Sequence, residues 1–428
     1  MARIKPTSYK LENVADGHIF EDSGWALADP QSKTPSLVRA VYANKFFNPK
    51  EGRYGLYRYA EWLPIQHTLK NSHAPVTYRS TGLARHLGMS NLYITFSGYW
   101  PKIGARMETC SFKETEAFSV CGRLPKRNKR VLVVQSAGNT ARAFARVCSD
   151  NNIPVVICIP LDNINDLWFR RALKPCVKVI ATPSGTDYFD AISLGDKIAQ
   201  DPRFMLEGGA KNVARRDGMG TTVLSAVEAI GRIPDAYFQA VGSGTGAIAA
   251  WENAERLAAD GRFGKNNMRV YACQNAPYSI MYDSWKAGSR ELLPLDPDVS
   301  RKNSEIILAT VLSNRKPPYS IAGGLYDVLK ASGGDMYLAT NDDIVNWILK
   351  FFKFEGCDIL PAAACAVSGL ANALENGDVG KDETVMLNIT GGGMLNATYM
   401  GYVQKSPDLV LSPDLPSEII ISEVDKLF

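Results

Sequence analysis

The chain has 428 residues, of which 46% are hydrophobic and 21% charged, and its 48 basic and 44 acidic side chains give a formal net charge of +4. Such a chain is globular and long enough for two or three domains, which excludes a disordered protein and a small disulfide scaffold. No apolar run approaches the roughly 18 residues of a membrane helix, and no apolar leader follows the first residues. We therefore predict a cytoplasmic protein without a membrane partner.

The cysteines and histidines give no sign of a metal. Eight cysteines and four histidines are present, but none is spaced as in a zinc site. Scattered thiols also suit a reducing cytoplasm. The strongest basic cluster, residues 126–130, precedes an apolar stretch and has no base-reading or stacking residues around it. We interpret it as a solvated connection and predict no nucleic-acid partner.

Taken in chain order, the predicted elements begin late. Residues 1–75 show no alternation of strands and helices, and we predict an extension that wraps around the rest of the chain. From about residue 76, short apolar runs alternate with polar loops and helix-like segments. The expected strands are 131–134, 154–160, 237–241, 269–273 and 384–389, and the expected helices are 141–147 and 247–257. This alternation predicts an α/β fold with mostly parallel sheets, whose ligands bind at the carboxyl ends of strands.

A glycine-rich loop, Gly242–Gly246, joins one predicted strand to a predicted helix. Its glycines let the backbone approach an anion, and the start of the helix adds N–H groups and a positive dipole end. The spacing G-x-G-x-G is neither a dinucleotide fingerprint nor a P-loop, so it favours a compact monophosphate. A purely structural turn is the alternative interpretation.

Lys113 precedes a second polar loop, Ser136–Thr140, which opens a helix. A lysine buried near a phosphate site can lose its proton and form a Schiff base with a carbonyl. The amides and hydroxyls of the second loop can hold a carboxylate or a phenolic oxygen, although helix capping by Asn139 or Thr140 is the simpler alternative. Together, the lysine, the phosphate cradle and the polar loop predict pyridoxal 5′-phosphate as the cofactor.

The order of the motifs carries more weight than any one of them. The motifs are Ser111–Lys113, Ser136–Thr140, Gly242–Gly246 and Thr390–Gly393. This order resembles the fold type II pyridoxal phosphate enzymes of the threonine synthase and cysteine synthase group. Within that group, further segments look like the cysteate synthase family, a threonine synthase relative from the coenzyme M pathway of methanogens. These segments are Phe96–Pro101, Cys110–Glu114, Asn212–Thr221, Tyr237–Gly246, Pro317–Ser320, Gly323–Asp327 and Asp358–Pro361.

The resemblance covers about residues 60–395 and implies a fold type II, tryptophan synthase β-like architecture with two α/β domains and an N-terminal extension. We expect a large phosphate-binding domain from 76–112 and 226–428, and a small domain from 113–225. The extension, 1–75, lacks the cysteine-bearing segment with which relatives of this type can begin. The resemblance also implies a homo-oligomer.

The resemblance assigns cofactor roles residue by residue. Lys113 is the Schiff-base lysine and the catalytic residue. Asn139 bonds the ring hydroxyl oxygen, and Thr390 faces the pyridine nitrogen. The residues expected to hold the cofactor phosphate are Gly242, Ser243, Gly244, Thr245 and Gly246.

The residues expected to bind the substrate are Ser136, Ala137, Gly138, Thr140, Asn212, Arg215 and Arg142. Arg215 stands first among them, since Asn212 and Arg215 match the Asn-Pro-x-Arg segment that helps threonine synthases bind substrate phosphate, although Val213 replaces the proline. A planar guanidinium suits a phosphate or a sulfonate. An ion pair between Arg215 and an acid such as Asp217 is the alternative, with Arg142, Arg216 and Lys102 as further anion-site candidates.

The reaction implied by the resemblance is a β-replacement, in which L-phosphoserine and sulfite give L-cysteate and phosphate through an aminoacrylate intermediate. The expected partners are therefore small-molecule substrates. Two alternatives within the same chemistry are a threonine synthase acting on O-phosphohomoserine and water, and β-replacement with another nucleophile. A non-catalytic small-molecule sensor is a third alternative, and the intact Lys113 argues against it.

Overall fold

The protein is described by a computed structural model that covers residues 4–52, 54–136, 138–399 and 401–428. Its strands in chain order are β1 (Tyr9–Asn13), β2 (Ile19–Phe20), β3 (Val38–Tyr42), β4 (Val76–Arg79), β5 (Asn91–Phe96), β6 (Tyr99–Trp100), β7 (Ala105–Arg106), β8 (Val131–Gln135), β9 (Val155–Pro160), β10 (Trp168–Phe169), β11 (Val177–Thr182), β12 (Phe204–Leu206), β13 (Ala236–Ala240), β14 (Arg269–Asn275), β15 (Asp335–Ala339), β16 (Thr384–Ile389), β17 (Val403–Gln404) and β18 (Leu409–Val410).

The α-helices are α1 (Gly82–Leu87), α2 (Lys113–Arg123), α3 (Asn139–Asn151), α4 (Tyr188–Ile198), α5 (Val213–Ile230), α6 (Thr245–Asp260), α7 (Ile280–Lys286), α8 (Pro297–Ile306), α9 (Leu325–Ser332), α10 (Asn341–Glu355), α11 (Pro361–Glu375), α12 (Met394–Thr398) and α13 (Ser417–Asp425). Short 3-10 helices span Gly55–Trp62, Pro101–Ile103, Leu161–Asp166, Gly209–Lys211 and Thr310–Leu312.

The larger sheet has the strand order β15-β14-β13-β16-β5-β4. All neighbouring strands run parallel except β4, which is antiparallel to β5 at the edge. Its central strands are mostly apolar because helices cover both faces, and every residue of β13 and β16 is buried. The predicted α/β fold with mostly parallel sheets is confirmed.

The smaller sheet has the order β12-β8-β9-β11-β18, and all its strands are parallel. Its last strand, β18, comes from the C-terminal segment and covers an edge of β11 that would otherwise be unpaired. Ile420 and Val424 of α13 pack in the same core as Leu194 of α4. Residues 409–425 therefore lie on the smaller sheet, which corrects the assignment of all of 226–428 to the large domain.

The N-terminal region contains more structure than the sequence suggested. It forms an antiparallel sheet with the order β2-β1-β3, followed by the 3-10 helix Gly55–Trp62. Val38, Ala40 and Tyr42 of β3 are buried alternately with half-buried neighbours, as in a strand with one covered face. They share a core with Val223 of α5. The strands escape a sequence search because none is longer than five residues.

One contact between distant parts of the chain positions the site. The Phe112 amide donates to the Thr390 carbonyl at 2.9 Å, and Ser111 pairs with Gly391 in an isolated antiparallel bridge. Helix α2, which begins with Lys113, therefore starts beside the carboxyl end of β16. Within the described ranges, no helix is both long and apolar enough to cross a membrane, and no cluster of acids, cysteines and histidines could hold a metal ion.

Candidate active site

A cavity of about 430 Å³ lies where the predicted motifs meet. The predicted site residues that line it are Lys113, Ser136, Gly138, Asn139, Thr140, Arg215, Gly242, Ser243, Gly244, Thr245, Gly246 and Thr390. Ala137, which was also predicted, lies outside the described residues. The structure thus brings together the four ordered motifs and the foremost anion-binding candidate.

The glycine-rich loop forms one wall of the cavity. Gly244 has φ = +78°, a left-handed conformation that favours glycine, and α6 begins at the next residue. The Thr245 amide donates to Ser243 Oγ at 3.3 Å and the Ile248 amide to the Gly244 carbonyl at 3.0 Å, which leaves the amides of Gly246 and Ala247 available to an anion. Ser243 Oγ and Thr245 Oγ1 lie 2.7 Å apart and add two hydroxyls to the same loop. This donor set suits a phosphate group.

Lys113 is the first residue of α2, and its side chain is 19% exposed. Its Nζ lies 3.3 Å from Glu116 Oε2 and 4.9 Å from the centre of the Phe112 ring. Burial lowers the pKa of Lys113; Glu116 opposes that shift and Arg215 adds to it. The amine is therefore more readily deprotonated than an exposed lysine, as a nucleophile towards an aldehyde requires.

Asn139 opens α3, and its amide orientation is set by a neighbouring arginine. Arg142 Nη2 donates to Asn139 Oδ1 at 2.5 Å, which leaves the Asn139 amide nitrogen as the remaining donor. Arg142 also donates to the carbonyls of Thr109 and Asp166, and its guanidinium lies 4.5 Å from the ring centre of Trp168. Arg142 does not line the cavity. Contrary to its predicted role in substrate binding, it positions Asn139.

The other predicted polar groups of the second loop are also engaged. Ser136 Oγ accepts the amides of Gly138 and Ala141 at 3.2 and 3.1 Å. Thr140 Oγ1 donates to Glu116 Oε1 at 3.0 Å. The start of α3 is therefore held rigidly against the helix that carries Lys113.

Arg215 lines the cavity, but its guanidinium is already paired. Its Nε and Nη2 donate to the two oxygens of Glu207 at 2.8 and 2.5 Å, and Nη2 lies 3.6 Å from Glu116 Oε1. Burial opposes the charge of Arg215, but Glu116 and Glu207 raise its pKa above the ordinary value. Burial raises the pKa of Glu207. The alternative interpretation of Arg215, an ion pair with an acid, is thus partly correct, but the partner is Glu207 rather than Asp217.

The remaining candidates lie away from the cavity lining. Asn212 is the N-cap of α5, where its Oδ1 accepts the Ala214 amide at 3.0 Å. Arg216 is fully buried and pairs with Glu252, and Lys102 is exposed at another part of the surface. None of these three is brought into contact with the cavity by the fold.

Sequence reasoning missed two buried acids that contact Lys113 and Arg215, although neither acid lines the cavity. Glu116 follows Lys113 by one helical turn, so the i,i+3 spacing on a predicted helix was the available signal. Glu207 follows directly after β12, at the carboxyl end of a strand, where site residues are expected. Residues 310–314 do line the cavity, and no local pattern in the sequence marks them.

The residues present fit pyridoxal phosphate. The loop Gly242–Gly246 supplies a donor set for its phosphate, Lys113 an amine whose pKa burial lowers, and Asn139 an amide donor for the ring oxygen. Thr390 would place a hydroxyl, rather than a carboxylate, towards the ring nitrogen. The side chain of Thr390 lines the same cavity and its carbonyl holds the start of α2.

Comparison with known proteins agrees with this geometry. Residues 78–391 match the family described as pyridoxal-phosphate dependent enzymes, which covers most of the chain and includes the first three motifs and the start of the fourth. The chain belongs to this family of pyridoxal-phosphate dependent enzymes. The predicted cofactor and the prediction of an enzyme are thereby confirmed.

The curated relatives that the chain matches include several cysteate synthases. The chain is 48% identical to the cysteate synthase of Methanocella paludicola over 84% of each chain, and 45% identical to that of Methanosarcina acetivorans over 90% of this chain and 92% of the relative. The cysteate synthase of Methanospirillum hungatei is 43% identical over 98% of both chains. The resemblance inferred from the motifs is confirmed over nearly the whole length.

Solved structures support the fold. Maize serine racemase superposes with a TM-score of 0.55 at 15% identity, covering 75% of this chain and 88% of its own. The processed form of threonine deaminase isoform 2 from Solanum lycopersicum gives 0.55 at 18% identity, covering 76% and 87%. Both are fold type II enzymes, so the predicted fold class is confirmed.

Proposed function

We propose that this enzyme joins L-phosphoserine and sulfite to give L-cysteate and phosphate. The observation that carries the proposal is one cavity lined by two separate groups whose chemistry suits an anion, the Gly242–Gly246 loop and Arg215. A phosphorylated cofactor and a phosphorylated substrate need two such groups. The identity of 42–48% to cysteate synthases supports the choice of substrates.

In this proposal the cofactor is held by Gly242–Gly246 at its phosphate, Asn139 at its ring oxygen and Thr390 at its ring nitrogen. Lys113 is the residue that would hold it covalently. When bound, pyridoxal phosphate supplies an electron sink that stabilises negative charge on the α-carbon of an amino acid. The substrate carboxylate is assigned to the polar loop at the start of α3, where Thr140 and Ser136 line the cavity.

Lys113 is assigned as the general base and general acid. The Lys113 Nζ is the group that would remove the α-proton and later return it. Burial lowers the pKa of this amine, which favours the neutral form that a base requires. The same nitrogen can thus act as the base before phosphate is replaced by sulfite at Cβ and as the acid afterwards.

Arg215 is assigned to the anion at Cβ. The phosphate leaves this carbon and sulfite enters through sulfur, and both are oxyanions that a guanidinium can bind in turn. Two donors of Arg215 face Glu207, so its Nη1 is the group assigned to the incoming anion. Two predicted residues contribute indirectly in this proposal. Asn212 caps α5, the helix that carries Arg215, and Arg142 holds the Asn139 side chain.

The test is a substrate screen on the purified enzyme. Phosphate release is measured with L-phosphoserine and with O-phosphohomoserine, each with and without sulfite, and products are identified by mass. Cysteate formed from phosphoserine and sulfite supports the proposal. Threonine from phosphohomoserine would replace it with threonine synthase activity, and a product formed only with sulfide or thiosulfate would change the nucleophile.

The cytoplasmic location and the homo-oligomer stay predictions. Light scattering of the purified protein gives the assembly state directly. The absence of nucleic-acid and membrane partners likewise stays a prediction, and the exposed basic cluster 126–130 is consistent with a solvated connection.

A further inference from the structure

Glu116 is the buried acid of the cavity region that the reaction proposed above does not use. Its side chain is fully buried. It contacts three elements at once: Lys113 Nζ at 3.3 Å on its own helix, Thr140 Oγ1 at 3.0 Å on α3, and Arg215 Nη2 at 3.6 Å on α5. Burying a carboxylate is costly unless it is paired and hydrogen-bonded, so each of these contacts matters.

Lys113 and Arg215 both contact Glu116, but they differ in whether they have another carboxylate as an ion-pair partner. Arg215 has a bidentate partner in Glu207, and its contact with Glu116 is longer than either of those two bonds. Lys113 has its charged contact with Glu116 alone among the ion pairs of the described residues. The charge of Glu116 therefore acts chiefly on Lys113.

We propose that Glu116 is a positioning residue that stabilises the ammonium form of Lys113 and thereby sets how strong a base that lysine is. The proposal rests on Lys113 being the cofactor lysine of the function proposed above. When the neutral amine takes the substrate α-proton, it becomes an ammonium whose positive charge lies beside the Glu116 carboxylate. The proton stays on Nζ until it is returned to the α-carbon, so the step is balanced without a further group.

Other charged and titratable groups face Lys113 from each packed element. They are Glu116 on α2, Arg215 on α5 and Glu207 after β12. Tyr188 at the start of α4 faces those three side chains in turn. Glu116 and Glu207 favour the ammonium, and Arg215 disfavours it. Substitutions at Glu116 and at Arg215 must therefore shift the protonation of Lys113 in opposite directions.

The experiment follows the first covalent step, with no substrate present. The full-length protein is stripped of cofactor and mixed with pyridoxal phosphate, and the rate of covalent attachment to Lys113 is followed by absorbance from pH 6 to pH 10. Only the neutral amine attacks the aldehyde, so the midpoint of the rate profile reports the protonation of Lys113. Titration of the cofactor itself is common to all variants and cancels in the comparison.

We expect Glu116→Gln to lower the midpoint by about one pH unit, because an opposite charge within hydrogen-bond range is removed. Arg215→Gln is expected to raise it. The matched control is Glu375→Gln, the same chemical change at the exposed last residue of α11, roughly 20 Å along the helix from Ala362 in the cavity wall. Its midpoint should equal that of the wild type.

An unchanged or raised midpoint in Glu116→Gln overturns the proposal, as does an equal shift in the Glu375 control. A purely structural role would lower the amplitude or the melting temperature and leave the midpoint in place. If Glu116→Gln does not fold, Glu116→Asp keeps the charge but withdraws it by one methylene, and a smaller downward shift is then expected. Because no substrate is used, the outcome is independent of whether cysteate is the product.

Discussion

The pairing of Arg215 with Glu207 makes a quantitative prediction about stability. The two side chains are only 11% and 5% exposed, and two hydrogen bonds of 2.8 and 2.5 Å join them. Arg215→Met keeps most of the side-chain volume but leaves Glu207 without its partner. Removing one member of a buried pair costs about 3–5 kcal/mol, whereas replacing both members is often neutral. We expect the single variant to lose that amount at pH 8, and Glu207→Gln/Arg215→Met to recover most of it.

The loss of unfolding free energy in Arg215→Met depends on pH. Burial already raises the pKa of Glu207, and removal of Arg215 raises it further. A carboxyl group whose pKa is higher in the folded state takes up a proton on folding, so it destabilises the fold progressively as pH rises above its unfolded pKa of about 4.3. At pH 5.5 a larger fraction of Glu207 is protonated than at pH 8, and the loss in the single variant should shrink towards about 1–3 kcal/mol, the cost of an unsatisfied neutral group.

The assay is urea unfolding of the wild type, the single variant and the double variant at pH 5.5 and pH 8, with pyridoxal phosphate in the same excess throughout. The free-energy difference between wild type and single variant is the quantity of interest, and the double variant is the control for lost packing. A single-variant loss below about 1 kcal/mol at pH 8, or one that is equal at both pH values, would refute the buried-pair reasoning.

Three further predictions concern the site directly. Borohydride reduction and peptide mapping should place the pyridoxyl group on Lys113, and Lys113→Ala should show no covalent attachment; label on another lysine would contradict the assignment. Gly244→Asp should lose cofactor occupancy, measured by absorbance after gel filtration, because a carboxylate at φ = +78° strains the loop and repels the phosphate. Arg215→Met should lower kcat/KM for phosphoserine about ten- to a hundredfold with the cofactor spectrum intact, and Arg215→Lys should lose less; wild-type turnover in Arg215→Met would move the anion site elsewhere.

Much of the fold was predictable because its signals are local. The buried strands β8, β9, β13, β14 and β16 are short continuous apolar runs ended by polar loops, and each was predicted within a few residues. The glycine loop and the lysine were recognisable because both motifs occupy a strand or helix terminus. The placement of β18 beside β11 was not predictable, because a two-residue edge strand carries too little pattern to show its partner.

The site was harder to predict where the role of a residue depends on which other side chains it contacts. Arg142 and Arg215 have the same side chain and both lie on the first turn of a helix, yet one holds Asn139 and the other lines the cavity. The difference depends on which carbonyls and carboxylates surround each guanidinium after the sheets have packed. Glu116 and Glu207 come together from α2 and the end of β12 only in the folded chain, so sequence alone could mark each acid but not their shared contact with Arg215.

The bridge between Ser111 and Gly391 has a consequence for how the protein is made. The segment that ends in Lys113 is synthesised early, but the strand end against which it is fixed emerges from the ribosome only when most of the chain has been translated. The small sheet is likewise completed by β18, which is made later still. We therefore expect nascent chains released before residue 392 to bind no cofactor, and pyridoxal phosphate to be acquired after translation is complete.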